Sequence, residues 1–236
     1  MTPPASGRIA FFGGSFDPPH LGHLAVARAA RAALGLDTVL FAPVGAQPLK
    51  PQGSAAAYKD RLAMTRLAIA GESGFAVSLI DAPRPSDAPN FTLETLEKLR
   101  AELPASAQLF CLMGADSFFG LRHWHRAAEI PFAAPLIVAS RPGQPLDRVQ
   151  TALPAGLALE PREPSEQTES GIELRSFSVT DGSGRRAPFY LLPGLDIEIS
   201  ASAIRAQVRG DAEGASARKL LPEAVAGYIR SHNPYG

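Results

Sequence analysis

The sequence predicts an α/β fold: a doubly wound, mostly parallel sheet of Rossmann-like type, closed by C-terminal helices. Three observations carry this. Short apolar runs of strand length recur along the first part of the chain. A helix-length stretch with an apolar side follows most of them. Glycine or proline marks the joins. Strands alternating with helices require parallel pairing through right-handed crossovers.

The first apolar run, RIAFF from Arg8 to Phe12, ends at Gly13-Gly14 and reads as a buried parallel strand. HLGHLAVARAARAALG reads as a helix, with leucines and alanines on its apolar side, Arg28 and Arg31 on its wet side and Gly35 as its stop. TVLFAP, Thr38 to Pro43, is the second strand. YKDRLAMTRLAIAG is the second helix, with Leu62, Leu67 and Ile69 among its apolar positions. FAVSLI is the third strand, and NFTLETLEKLRAELP is a helix with Thr92 at the N-cap and Thr95 where a capping box would hold Glu. AQLFCLMG and APLIVASRPG supply strands four and five. Residues 145 to 185 break the rhythm, with seven acids against four bases, several Pro and Gly, and no long period. They read as an irregular insertion at about 145–187 within a single domain spanning 1–236. APFYLLPG restores a strand, and SASAIRAQVRG and LPEAVAGYIRSH close the chain as helices.

The 23 Lys plus Arg balance 23 Asp plus Glu, which argues against a broad nucleic-acid-binding surface but leaves room for a small basic site. The single cysteine, Cys111, allows no intrachain disulfide and fits a reducing, cytoplasmic setting. Its apolar strand makes it an inert core thiol. No signal-peptide pattern or membrane-length apolar run is present, so no membrane partner is expected. Nothing in the sequence specifies an oligomeric state.

Two short stretches carry chemistry. In GGSFDPPHLGH, Gly13 and Gly14 lie at the carboxyl end of a strand, where parallel sheets bind ligands. The following helix offers unpaired N–H groups and a positive dipole end to an anion. His20 and His23 are three apart, so both imidazoles can face one phosphate. Either histidine alone reads as a partly buried spacer. A zinc pair is the weaker alternative, because no Cys or acidic helix partner is near. In ISASAIR, Ser200 is an N-cap candidate, Ser202 lies in the first turn and Arg205 follows. Together they make a second anion site, although each alone fits an ordinary capped helix.

GGSFDPPHLGH resembles the H-x-G-H signature of the nucleotidylyltransferase superfamily, and ISASAIR resembles its I-S-x-T-x-I-R, with Ser202 in place of Thr. PVGAQPLKP, NFTLETL, LMGADSF, VASRPG and LLPEAVAGYI are similar to stretches of the bacterial nicotinate-mononucleotide adenylyltransferases. Leu49 stands where that family often has His, and Asn90-Phe91 replace Ser-Tyr.

The resemblance implies adenylyl transfer from ATP to nicotinate mononucleotide, giving deamido-NAD and pyrophosphate. It implies His20, His23 and Arg205 as catalytic residues. Gly13, Gly14, Ser15, Phe16, Asp116, Ser200 and Ser202 would bind ATP, Asp116 through the ribose. Lys50, Thr92, Trp124 and Arg141 would bind the mononucleotide, with Trp124 stacked on its ring. Mg²⁺ would ride mainly on ATP phosphates, because no clustered carboxylates suggest a protein cage. The alternatives are the amide acceptor, nicotinamide mononucleotide, and a ligand-sensing protein that kept the pocket without catalysis. An enzyme for a coenzyme A precursor would be shorter and would usually lack His at position 20.

Overall fold

The computed structural model describes residues 7–50, 52–86, 88–139, 147–162, 166–167, 171–195, 199–210 and 219–236. Strand β1 (Arg8–Gly14) leads through α1 (Leu21–Leu34) to β2 (Thr38–Pro43), and α2 (Tyr58–Ile69) leads to β3 (Phe75–Val77). Helix α3 (Thr92–Glu102) returns the chain to β4 (Gln108–Gly114). Two short helices, α4 (Ala115–Phe119) and α5 (Ile130–Ala133), precede β5 (Leu136–Ala139). The sheet order is β3-β2-β1-β4-β5-β9-β8-β6, with β6 spanning Leu157–Pro161, β8 Glu173–Asp181 and β9 Arg186–Leu192. Every pairing from β3 through β9 is parallel. The order reverses beside β1, so β2 and β4 flank it, and a crevice opens beyond the carboxyl ends of β1 and β4.

Period-two alternation builds a core on each face of the sheet. Ile9 and Phe11 of β1, with Leu109, Cys111 and Met113 of β4, pack with Leu93, Leu96 and Leu99 of α3. Ala10 and Phe12, with Phe110 and Leu112, pack on the other face with Leu24, Ala27 and Ala30 of α1 and Met64 of α2. Ile204 of α7 (Ala201–Gly210) and Val225 and Ile229 of α8 (Glu223–His232) join this second layer. Gly35 caps α1 in the left-handed region at φ 56°, where a side chain would be strained.

Residues 145–187 depart from the irregular insertion the sequence suggests. Their described part holds α6 (Asp147–Ala152), β6 (Leu157–Pro161), β7 (Glu166–Gln167) and β8 (Glu173–Asp181). Strand β8 pairs antiparallel with β9, and β6 and β7 pair antiparallel with β8. The period was hard to read because β8 is half-buried along nearly its whole length. Leu157, Leu159 and Phe177 pack toward one core layer, Ile172 and Leu174 toward the other. At the β8–β9 turn, Asp181 accepts hydrogen bonds from Ser183 and Arg185, which hold its carboxyl down at about 2.

Three smaller expectations also change. Strand β3 ends at Val77 instead of running to Ile80. The buried residues of α2 are Arg61, Met64, Thr65, Ala68 and Ile69, while Leu67 is exposed. Thr92 is the first residue of α3 and Phe91 is its N-cap, with no side-chain capping bond.

Candidate active site

Two adjoining cavities open at the crevice, of about 470 and 500 Å³. Gly13, Gly14, Lys50 and Asp116 line both and form the seam between them.

In the first cavity, β1 delivers Gly13 and Gly14 and α1 delivers the histidines. His20 is the N-cap of α1 and is buried; His23 stands one turn in. Their ring centroids are 3.8 Å apart. The backbone N–H of His20 donates to His23 Nδ1 at 3.2 Å. An acceptor at Nδ1 leaves the proton of the neutral ring on Nε2, so Nε2–H is the donor His23 can offer a ligand. Phe16 packs edge-on against the His23 ring, with centroids 5.0 Å apart, and is itself 1% exposed. Phe16 therefore supports the His23 ring and also lines the cavity. A Cβ on Gly13 would come within 2.7 Å of the Phe11 ring, so that glycine answers to its own strand as well as to a ligand.

Helix α7 brings the second stretch to the same cavity. Ser200, Ser202 and Arg205 line it together with the histidines. Arg205 Nη1 donates to the Asp17 carbonyl at 2.6 Å, and Nη2 donates to Ser202 Oγ at 3.2 Å. These bonds fix the guanidinium plane before any anion arrives. Lys50 Nζ donates to Ser15 Oγ at 3.3 Å, so the loop after β2 reaches the glycine turn.

The second cavity is lined by apolar and aromatic groups, Phe11, Val44, Phe91 and Trp124 among them. Thr92 at the start of α3 also lines it. His125 stacks on Phe91 with centroids 4.4 Å apart. Asn90 laces two loops together: Oδ1 accepts from Ala46 N–H at 3.1 Å, and Nδ2 donates to the Ala82 carbonyl at 3.3 Å. Arg141 lies outside the described residues.

Sequence reasoning missed the bracing beneath the site. Asp17 is 4% exposed and accepts from Ala55 N–H at 2.6 Å and Ala56 N–H at 3.2 Å. Arg61, 2% exposed, donates to the carbonyls of Ser15, Val44 and Ala56. The pair ties the glycine turn, the loop after β2 and α7 into one unit. Asp17 sits inside the first quoted stretch, which was a usable signal; Arg61 had none, since its helical position read as neither core nor site. Asp81 and Thr95 at the second cavity were also missed as a pair. Cys111 is buried as expected, and burial pushes its thiol up to about 12.

A glycine turn under a paired-histidine helix start, faced by a serine- and arginine-bearing helix, defines a phosphate-handling α/β transferase site. The cytidylyltransferase-like family model matches residues 11–207. Curated relatives named "Probable nicotinate-nucleotide adenylyltransferase" include one from Gloeobacter violaceus, 37% identical over 97% of this chain and 96% of its own. Another, from Aeromonas hydrophila, is 40% identical over 96% of each. The chain belongs to the cytidylyltransferase-like family and, within it, to the nicotinate-nucleotide adenylyltransferases. The fold also matches that of the Plasmodium falciparum nicotinic acid mononucleotide adenylyltransferase complexed with NaAD, with a TM-score of 0.68, 15% identity and 97% of both chains covered.

Proposed function

We propose that this protein transfers the adenylyl group of ATP to nicotinate mononucleotide, releasing deamido-NAD and pyrophosphate. The seam between the two cavities carries this reading. A triphosphate in the first cavity and a mononucleotide in the second would meet with their phosphates beside Gly13, Gly14 and Lys50.

An oxygen of the acceptor phosphate attacks the α-phosphorus of ATP in line. The bond from that phosphorus to the bridging oxygen breaks, and pyrophosphate leaves with the electron pair. The attacking phosphate is already anionic, so no general base is needed and catalysis rests on positioning and charge stabilisation. His20, His23, Ser202 and Arg205 hold the triphosphate and stabilise charge on the departing group. Asp116 receives the ATP ribose, and Lys50 steadies the acceptor phosphate. Trp124 stacks on the pyridine ring, with Thr92 and the open N–H groups of α3 on its carboxylate side.

The donor set fits a divalent cation, Mg²⁺, carried on phosphate oxygens rather than in a protein cage. Asp17 is committed to two backbone amides, and no group of three or more potential metal ligands occurs among the described residues. The ion would neutralise phosphate charge.

Trp124 is the only tryptophan, so its emission reports on the acceptor cavity directly. Nicotinate mononucleotide is expected to quench it saturably, and ribose 5-phosphate to leave it unchanged. Emission indifferent to the mononucleotide would count against this assignment of the cavity.

A further inference from the structure

The acceptor cavity contains a carboxyl group for which adenylyl transfer has no use. Asp81 follows β3, lines this cavity and is 5% exposed. Thr95 Oγ1 of α3 donates to Asp81 Oδ1, and the same hydroxyl lies 3.2 Å from the Phe91 carbonyl. A hydroxyl has one hydrogen to give and lone pairs to receive. With Asp81 ionised, the Thr95 hydrogen goes to the carboxylate. With Asp81 protonated, the carboxyl hydrogen can go to Thr95 Oγ1 while the Thr95 hydrogen turns to the Phe91 carbonyl. Both states are hydrogen-bonded without any heavy atom moving, so the site is built to hold or release one proton.

Burial pushes the Asp81 carboxyl up to about 6, which puts it near its turning point in the empty cavity. A ring carboxylate entering the cavity adds a like charge and displaces water, and both favour the neutral carboxyl. A ring amide brings no charge. We propose that Asp81 is a specificity-determining residue: it takes up a proton when an acid acceptor binds and not when the amide counterpart binds, so the choice between them depends on pH. This inference rests on the acceptor proposed above.

Several groups surround Asp81 or share its cavity. Arg84 lies on its own loop, Lys98 and Thr95 on α3, Cys111 on β4 and Tyr58 on α2. Burial pushes both Cys111 and Tyr58 up, toward their neutral forms. Lys50, Asp116, His123 and His125 line the cavity beyond them. The two imidazoles are proton-carrying groups in the same cavity, so the test must separate them from Asp81.

Calorimetric titration of the protein with nicotinate mononucleotide and with nicotinamide mononucleotide near pH 7, in buffers of different ionisation enthalpy, counts the protons bound with each ligand. Both ligands carry the same 5′-phosphate, so its contribution cancels in the difference. The acid is expected to bind with up to about one proton more than the amide, and its affinity is expected to fall by up to about tenfold per pH unit above neutrality. Asp81→Asn should abolish the difference. Equal proton uptake in the wild type overturns the proposal, and so does a difference that persists in Asp81→Asn. Should Asp81→Asn fail to fold, the His123→Asn, His125→Asn double variant decides: the difference must survive there, and its loss overturns the role of Asp81. Turnover of the acid with ATP is measured alongside. Turnover with equal proton uptake removes Asp81's role alone, whereas absence of binding and turnover removes the proposed function and this inference together.

Discussion

His23 is held from several sides before any ligand arrives. The His20 N–H occupies Nδ1, and the Phe16 and Phe12 rings lie 5.0 and 6.1 Å away, centroid to centroid. A donor fixed in this way stabilises developing charge without reorganising, and one such donor is worth about 100- to 1,000-fold in turnover. His23→Ala is expected to lower kcat by about that factor while the protein stays folded by circular dichroism; near-normal turnover would contradict the role. Asp81 makes a prediction of a different kind. Its ordinary value is 3.8 and its folded value about 6, so folding disfavours the ionised form. Stability is therefore undiminished below about pH 4 and falls as pH rises through 6. Asp81→Asn removes that cost and is expected to gain up to about 3 kcal/mol at pH 8 and almost nothing at pH 4, read from denaturant midpoints. A gain independent of pH would contradict the assignment.

Among elements, the loops matter as much as the helices they join. The loop after β2 meets the loop after β3 at Gly45, whose N–H donates to the Asp81 carbonyl at 2.7 Å. A Cβ there would stand 2.5 Å from the Pro83 nitrogen, a backbone atom that cannot swing aside. Gly45→Ala is expected to cost about 1–3 kcal/mol and to weaken acceptor binding more than ATP binding, measured by calorimetry of each ligand. Equal losses for both ligands would show that the two loops do not shape the acceptor cavity separately.

These same loops mark where sequence reading stops. The histidine pair was legible because a spacing of three across a helix start brings residues 20 and 23 together, although His20 is the N-cap of α1 and not part of its first turn. Ser200, Ser202 and Arg205 were legible for the same local reason. The contact of Arg205 with the Asp17 carbonyl spans 188 positions, and no local period encodes it. Arg61 on the buried side of α2 looks like a misplaced charge until the carbonyls of Ser15, Val44 and Ala56 are seen around it. Thr95 read as an imperfect capping residue, whereas its hydroxyl serves Asp81 in the loop that precedes α3. Between β5 and β9, strands β6 and β8 escaped because partly buried faces blur the alternation that identifies strands elsewhere.

For the whole molecule, the sheet order explains why both cavities share one seam. Reversal beside β1 opens the crevice where β1 and β4 end, α1 points its N-terminus into it, and α7 closes it from the far end of the chain. Under the proposed function, two nucleotides bound in these adjoining cavities would react where their phosphates meet. The most direct test of this account is to incubate the purified protein with Mg-ATP and nicotinate mononucleotide and to resolve the products by chromatography. The nicotinamide and coenzyme A-precursor acceptors run in parallel. The account predicts deamido-NAD and pyrophosphate in equal amounts, formed fastest with the nicotinate acceptor. Pyrophosphate release with none of the acceptors, or a clear preference for another acceptor, would contradict it.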